Sequence, residues 1–324
     1  MELIMTSNSV REKLIDFNTA ISKLSLFNPS SEATNLFDEL LKFCCSTALD
    51  SSIFERMLET DLVLQAVCDQ LRRSRSQYEY YLEKNLAKIY TTNPGQNLIE
   101  QFSDDGDYHR LIEFEIKMLH ELGIQFSQSS IPNDTSNILV NKIAFIGSGP
   151  IPISSILILR KYAPFADIYN FDMSYEANQL ALGITKQLLP GHLIERMHFI
   201  TQDIGQKSIP IEVESILKEC QIIFLAALVG HDEMTKLDIL RNVVKHSKNE
   251  SNPTKVQHIV IRSTDGLCQV LYPKLSPKLI ITLEASPSNE TRSNKQNISL
   301  DIQKVSLSEN GSAISTIIAK MIKK

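Results

Sequence analysis

Two glycines, two prolines and two aspartates carry the first chemical suggestion in this chain. Gly147-Ser148-Gly149 follows the apolar run Lys142 to Ile146 and leads into Pro150 and Pro152. Glycines at the end of a buried strand accept positive φ and let backbone N–H groups come close to a bound molecule. A dinucleotide fingerprint, G-x-G-x-x-G, needs a third glycine at position 152, where this sequence has Pro152. Proline suits the first turn of a helix but donates no N–H, so Pro150 and Pro152 start a helix while removing donors that would face a phosphate. The bland alternative is a tight turn with no ligand.

Asp172 ends the run IYNFD, with Met173 beside it, and lies about 25 residues beyond Gly147. A carboxylate at the end of the second strand is placed to accept hydrogen bonds from two ribose hydroxyls. Asp203, with Ile204 beside it, follows MHFITQ, where an adenine amino group would sit. Either aspartate could instead cap a helix. A ligand with a ribose and an adenine but no pyrophosphate fits the whole set, and S-adenosylmethionine meets that condition.

These residues need a sheet to hold them, and the second part of the chain supplies the pattern. Short apolar runs (IAFIG, IYNF, MHFI, IIFLAAL, HIVIR) alternate with amphipathic segments. Such alternation indicates a parallel sheet covered on both faces, with right-handed crossovers, hence a doubly wound α/β fold. Ile298 to Leu307 and Ser312 to Met321 flank Asn310-Gly311, a hairpin signal. A terminal antiparallel hairpin on such a sheet is methyltransferase-like, and a terminal helix is the rival for the last segment. Before the sheet, from Ser9 to about Gly123, apolar residues recur every three or four positions (Leu14, Phe17, Ile21, Leu24), which predicts a helical bundle. The turn-rich stretch 126–137 is the expected join, giving a helical domain over 1–136 and a Rossmann-like catalytic domain over 137–324. The polar stretch Ser286 to Asn297 reads as a surface insertion.

Bulk composition narrows the partners. The chain has 324 residues, 43% hydrophobic and 22% charged, with net charge -5, and no long basic stretch to neutralise nucleic acid or anionic lipid. No apolar run reaches the roughly 18 residues of a membrane span, and the first residues lack a basic start with an apolar core. Five cysteines without CxxC spacing suit reduced thiols better than a disulfide framework or a zinc site. The expectation is a cytoplasmic protein acting on a small molecule, with no metal ligands. A homodimer is compatible with this reading.

Five strings then carry a family resemblance: AFIGSGPIPISSI (Ala144 to Ile156), FDMSYEAN (Phe171 to Asn178), RMHFITQDI (Arg196 to Ile204), IIFLAALVGHDEMTK (Ile222 to Lys236) and IRSTDGLCQVLYP (Ile261 to Pro273). In this order and register they resemble nicotianamine synthases, closely after Lys142 and loosely back to about Cys68. FLAALVG in register with GSGPxP and LYP is the most specific part. The resemblance implies an enzyme that joins aminocarboxypropyl groups from several S-adenosylmethionine molecules and closes an azetidine ring, releasing methylthioadenosine each time. The product would be nicotianamine, a metal chelator, and no cofactor beyond S-adenosylmethionine as substrate is implied. A single transfer to another amine such as histidine, or an ordinary methyl transfer, are the alternatives.

The same resemblance implies site residues. Ala226, Ala227 and Leu228 would line the donor pocket beside Gly147, Ser148, Gly149 and Pro150. In the helical part, Tyr108 falls on the last tyrosine of a tyrosine-rich turn, Glu115 on the glutamate of an LEF string, and Glu79 on the glutamate of the family's LE-x-H-F, with Glu83 as the competing assignment. The nucleophile is an amine that must lose a proton, so a carboxylate can accept it and a tyrosine hydroxyl can align it. Glu79 and Tyr108 are the expected pair, each with a plainer reading as a solvated helix residue and an exposed turn. Arg262, at the end of the fifth strand, would bind a carboxylate or a helix C-terminus, and His231 reads as a helix-start residue. The chain departs from the family at 95–98 and 103–106, which bears on the first acceptor and the number of transfers.

Overall fold

The computed structural model describes residues 3–4, 6–24, 29–92, 106–126, 138–247, 257–281, 298–306 and 313–323. Among these, seven strands form one sheet. In chain order they are β1 (Lys142–Ile146), β2 (Asp167–Asp172), β3 (Met197–Thr201), β4 (Ile222–Leu225), β5 (His258–Ser263), β6 (Ile298–Ser306) and β7 (Ser315–Lys323). Their spatial order is β6-β7-β5-β4-β1-β2-β3. The first five run parallel, while β7 pairs antiparallel with both β5 and β6. The terminal segment is therefore a strand and not a helix; the Asn310-Gly311 turn and the 286–297 insertion lie outside the described residues.

Strand order reverses at β1, whose neighbours are β2 on one side and β4 on the other. Parallel register then brings the strand ends together: Ile146 stands opposite both Phe171 and Leu225, Leu225 opposite Ile261, and Asp172 opposite Thr201. Gly147, Asp172, Asp203, Ala226 and Arg262 thereby meet at one carboxyl edge, where open α/β sheets bind ligands.

Burial explains why these strands are continuously apolar. On β4, Ile222 and Phe224 enter the core on one face of the sheet, while Ile223 and Leu225 enter the core on the other. Every residue of β4 is buried, so polar alternation has no place in it.

Among the described residues, five helices precede the sheet: α1 (Ser7–Ile21), α2 (Ser31–Ser46), α3 (Ser51–Thr60), α4 (Leu62–Thr92) and α5 (Asp107–Glu121). The 31 residues of α4 make a rod roughly 46 Å long that serves three surroundings. Leu64, Cys68 and Leu71 join a core shared with α1 to α3 and with Leu267 and Val270. Ala87 and Tyr90 join the sheet's own core, to which α5 adds Ile112, Ile116 and Leu119. The middle of α4 crosses the sheet's carboxyl edge. Tyr80 Oη lies 3.1 Å from Ser174 Oγ, and Lys84 and Lys88 pair with Glu176 at 2.6 and 3.2 Å. Ser174 caps helix α6 (Tyr175–Leu188) and Glu176 lies in its first turn, so α4 is held to the sheet at the pocket. The expected join at 126–137 lies, apart from Phe126, outside the described residues.

Candidate active site

A cavity of about 850 Å³ lies between the carboxyl edge and α4. All the residues expected from the sequence line it: Gly147, Ser148, Gly149, Pro150, Asp172, Met173, Asp203, Ile204, Ala226, Ala227 and Leu228 from the sheet side, Glu79 and Tyr108 from the helices. Glu83 lines it too.

The glycine loop differs from the expectation in one respect. Its N–H groups do not face the cavity. Gly147 and Ser148 both donate to the Phe171 carbonyl, at 2.8 and 3.3 Å. Gly149 donates to Asp172 Oδ2 at 3.0 Å, Ile151 donates to the Glu83 carboxylate, and Ile153 donates to the Ile151 carbonyl at 2.8 Å. Pro150 and Pro152 have no N–H, and the next helix begins at Ile153, so Pro152 caps it while Pro150 stays in the loop. The backbone N–H groups of this loop are thus engaged within the protein and are not offered to a phosphate. Gly147 and Gly149 adopt φ of +79° and +68°, and a Cβ on Gly149 would stand 2.8 Å from Glu83 Oε2. The second glycine is what lets the α4 carboxylate approach the loop.

Asp172 accepts from Gly149 N with one oxygen and from Ser174 N, at 2.9 Å, with the other. Each carboxylate oxygen can accept a second hydrogen bond, so Asp172 is fixed in place yet able to receive ribose hydroxyls. Asp203 Oδ1 accepts from Gly205 N at 2.8 Å, an Asx turn that holds it at the cavity wall.

Strand β4 ends at Leu225, so Ala226 to Leu228 form a turn where the apolar run predicts strand. The turn is tied down by Lys236, fully buried on helix α8 (Glu233–Ser247), with the helix Ile211–Glu219 counted as α7. Its Nζ donates to the carbonyls of Ala226 and Ala227 at 3.0 and 2.7 Å. Burial, then the charge of Arg262, lowers the Lys236 pKa to about 7. A neutral amine still has two N–H groups, one for each carbonyl. Sequence reasoning missed this residue. Its signal was a lysine four positions before Leu240, on the apolar stripe of its helix.

The helix side is built from titratable groups. Arg75, Glu79 and Glu83 stand at i, i+4 and i+8 on α4, one stripe of the helix. Arg75 is ion-paired with Glu79, with side chains 8% and 13% exposed. Burial opposes the Arg75 charge, but Glu79 and Tyr272 outweigh it and hold its pKa above the ordinary value. Glu83 differs. Burial, then the charges of Glu79 and Asp172, push its pKa up to about 8, against the Ile151 N–H. Tyr108 is held protonated far above the ordinary tyrosine range by burial, then by Glu83 and Glu79. The sequence favours Glu79 as the proton acceptor; the structure pairs Glu79 with Arg75 and places Glu83 where burial and neighbouring charges favour its protonated form.

Of the two readings of Arg262, the structure shows carboxylate binding, and the carboxylate is the protein's own Glu115. Arg262 Nε and Nη2 grip Glu115 at 2.9 Å each, and Nη1 donates to Ser154 Oγ at 3.0 Å. The pair is 5% and 0% exposed, with the guanidinium 5.3 Å from the Phe145 ring centre. Glu115 is thus a buried structural anchor of α5 on β5. His231 is exposed beside Asp232, 3.2 Å away, just ahead of α8. Positions 95–98 and 103–105 lie outside the described residues, and among the described residues no cluster of His, Cys, Asp or Glu could hold a metal.

The charge balance decides what the cavity can hold. Among the described residues, Arg75 offsets Glu79, Glu115 engages Arg262 and Glu83 favours its neutral form, so the lining carboxyls left without a paired cation are those of Asp172 and Asp203. A ligand bearing positive charge is favoured over an anion.

Comparison with known proteins agrees. Residues 4–290 match the family described as "Nicotianamine synthase protein". Nicotianamine synthase of Solanum lycopersicum is 28% identical over 282 residues, covering 84% of this chain and 76% of its own. Nicotianamine synthase 1 of Arabidopsis thaliana is 28% identical over 278 residues, covering 82% and 75%. Among solved structures, MtNAS in complex with MTA and tNA superposes with a TM-score of 0.67 at 15% identity, over 97% of both chains. A mutant of MtNAS in complex with S-adenosylmethionine gives 0.65 at 14%, over 96% of this chain and 97% of that one. At such identities these structures establish a shared fold.

Proposed function

The chain belongs to the nicotianamine synthase family, and from that premise we propose that its cavity condenses three molecules of S-adenosylmethionine into nicotianamine, a metal chelator, releasing methylthioadenosine at each step. The observation that carries this reading is the acidic cavity beside a loop whose backbone N–H groups are engaged within the protein. S-adenosylmethionine brings a sulfonium and an ammonium, two positive charges that such a lining accommodates, and no phosphate.

In this reading the donor's adenosine lies along the carboxyl edge, with its ribose on Asp172 and its adenine towards Asp203. The acceptor amine enters beneath α4. The amine nitrogen attacks the carbon next to the sulfonium, the carbon–sulfur bond breaks, and its electron pair leaves on sulfur as the neutral thioether. The new nitrogen carries one proton too many, and Glu83 takes it. A base whose pKa lies near that of the amine it serves is the efficient one, which favours Glu83 at about 8 over an ordinary carboxylate. Tyr108, kept as a neutral phenol, aligns the amine. The helical part up to residue 136 acts as the lid, and the sheet part from 137 holds the donor.

The test is incubation of the purified protein with S-adenosylmethionine alone, with products followed by mass spectrometry. Nicotianamine plus methylthioadenosine is the expected result. Methylthioadenosine that forms only after an amine such as histidine is added would assign a single-transfer reaction instead. S-adenosylhomocysteine would mean methyl transfer and overturn both.

A further inference from the structure

The α4 stripe holds two carboxylates where one proton acceptor suffices, and they are not equivalent. Glu79 is paired with Arg75, which Tyr272 also engages through a hydrogen bond. Among the described residues no cation pairs with Glu83, which meets the Ile151 N–H instead. We infer that Arg75 and Glu79 are positioning residues that set the basicity of Glu83 electrostatically, so that the second carboxylate acts on the first and not on the substrate. The inference rests on Glu83 being the proton acceptor of the proposed reaction.

The geometry supports this in three ways. First, residues four apart on a helix lie roughly 6 Å along its axis, and both carboxyls border one cavity, so their charges act on each other. Second, the Arg75 contact holds the Glu79 carboxyl on the same stripe as Glu83 and largely out of solvent, at 13% exposure, where a neighbouring charge is poorly screened. Third, Arg75 reaches Glu79 and not Glu83, so the cation fixes one negative charge without neutralising the other. The groups facing Glu83 from other elements are Asp172 at the end of β2, the Tyr108 phenol of α5 and the Ile151 N–H. Asp172 acts in the same direction as Glu79.

A carbon-13 titration of the glutamate side-chain carboxyls in the unliganded full chain tests the idea without interference from the substrate amine. The Glu83 signal is assigned by its loss in Glu83→Gln. Glu79→Gln should lower the Glu83 midpoint by about one pH unit or more, since a like charge is removed and Arg75 is released. Arg75→Met should raise it, and Glu79→Asp, which keeps the charge, should leave it within a few tenths of a unit. A structural role for the pair would not give shifts of opposite sign. An unchanged midpoint in Glu79→Gln, or a rise, would overturn the inference, and that variant decides alone if Arg75→Met does not fold. Methylthioadenosine release by Glu83→Gln is a separate readout. Wild-type release there would overturn the role of Glu83 itself, whatever the titration shows.

Discussion

The two walls of the cavity are made differently. On the sheet side, Gly149, Asp172 and Asp203 are locked by backbone hydrogen bonds into loops that each follow a strand. On the helix side, Arg75, Glu79, Glu83 and Tyr108 influence one another through charge and burial. The first wall is a rigid mould, suited to holding a donor in one pose. The second is a coupled set of titrating groups, suited to moving a proton. The contrast suggests that binding and chemistry can be damaged separately, and each prediction below tests that separation.

The largest effect is expected at Glu83. Its replacement by Gln should lower methylthioadenosine release about 100- to 10,000-fold, the usual range for loss of general base catalysis. Next is Glu115→Gln, which strands Arg262 in a buried site and breaks the tie between the two walls. Loss of one partner of a buried pair costs about 3 to 5 kcal/mol, so chemical denaturation should show a large fall in stability. Asp172→Ala should weaken S-adenosylmethionine binding about 30- to 100-fold, measured by calorimetry, since the ribose contact and two backbone anchors go together, while the Glu83 titration moves only downwards. Lys236→Met should raise KM about tenfold by releasing the Ala226 and Ala227 carbonyls, with less change in kcat.

The smallest effect is thermodynamic. Folded Glu83 titrates near 8, and an unfolded glutamate near about 4.3. Between these values the folded state holds the extra proton, so this group's contribution to stability falls as pH rises. Glu83→Gln should therefore be more stable than wild type by about 1 to 3 kcal/mol at pH 9 and nearly equal to it at pH 4, read from denaturant midpoints.

The same contrast explains what could be read from the sequence. A residue after a buried apolar run falls at the carboxyl edge once the sheet is parallel, so Gly147, Asp172 and Asp203 were placed from local pattern alone. The alternation also predicted the strands, and Asn310-Gly311 pointed to the terminal antiparallel pair. Helix-side chemistry was less legible. Which face of a 31-residue helix meets the pocket depends on distant contacts, here Tyr80 with Ser174 and Lys84 with Glu176. Periodicity could not choose between Glu79 and Glu83, since both lie on one stripe. It was also silent about Arg75 and Tyr272, which act through other residues. The end of β4 was illegible for a related reason: the turn that follows Leu225 is bonded through its carbonyls to a lysine from a later helix.

At pH 7 most of the folded protein carries Glu83 protonated, so Gln is close to its isostere for binding while being unable to accept a proton. Equilibrium binding of S-adenosylmethionine to Glu83→Gln at that pH, measured beside its rate of methylthioadenosine release, therefore separates the two walls most directly. The account predicts binding within about threefold of wild type together with release lowered at least 100-fold. Binding and release that fall together, or release that survives, would contradict it.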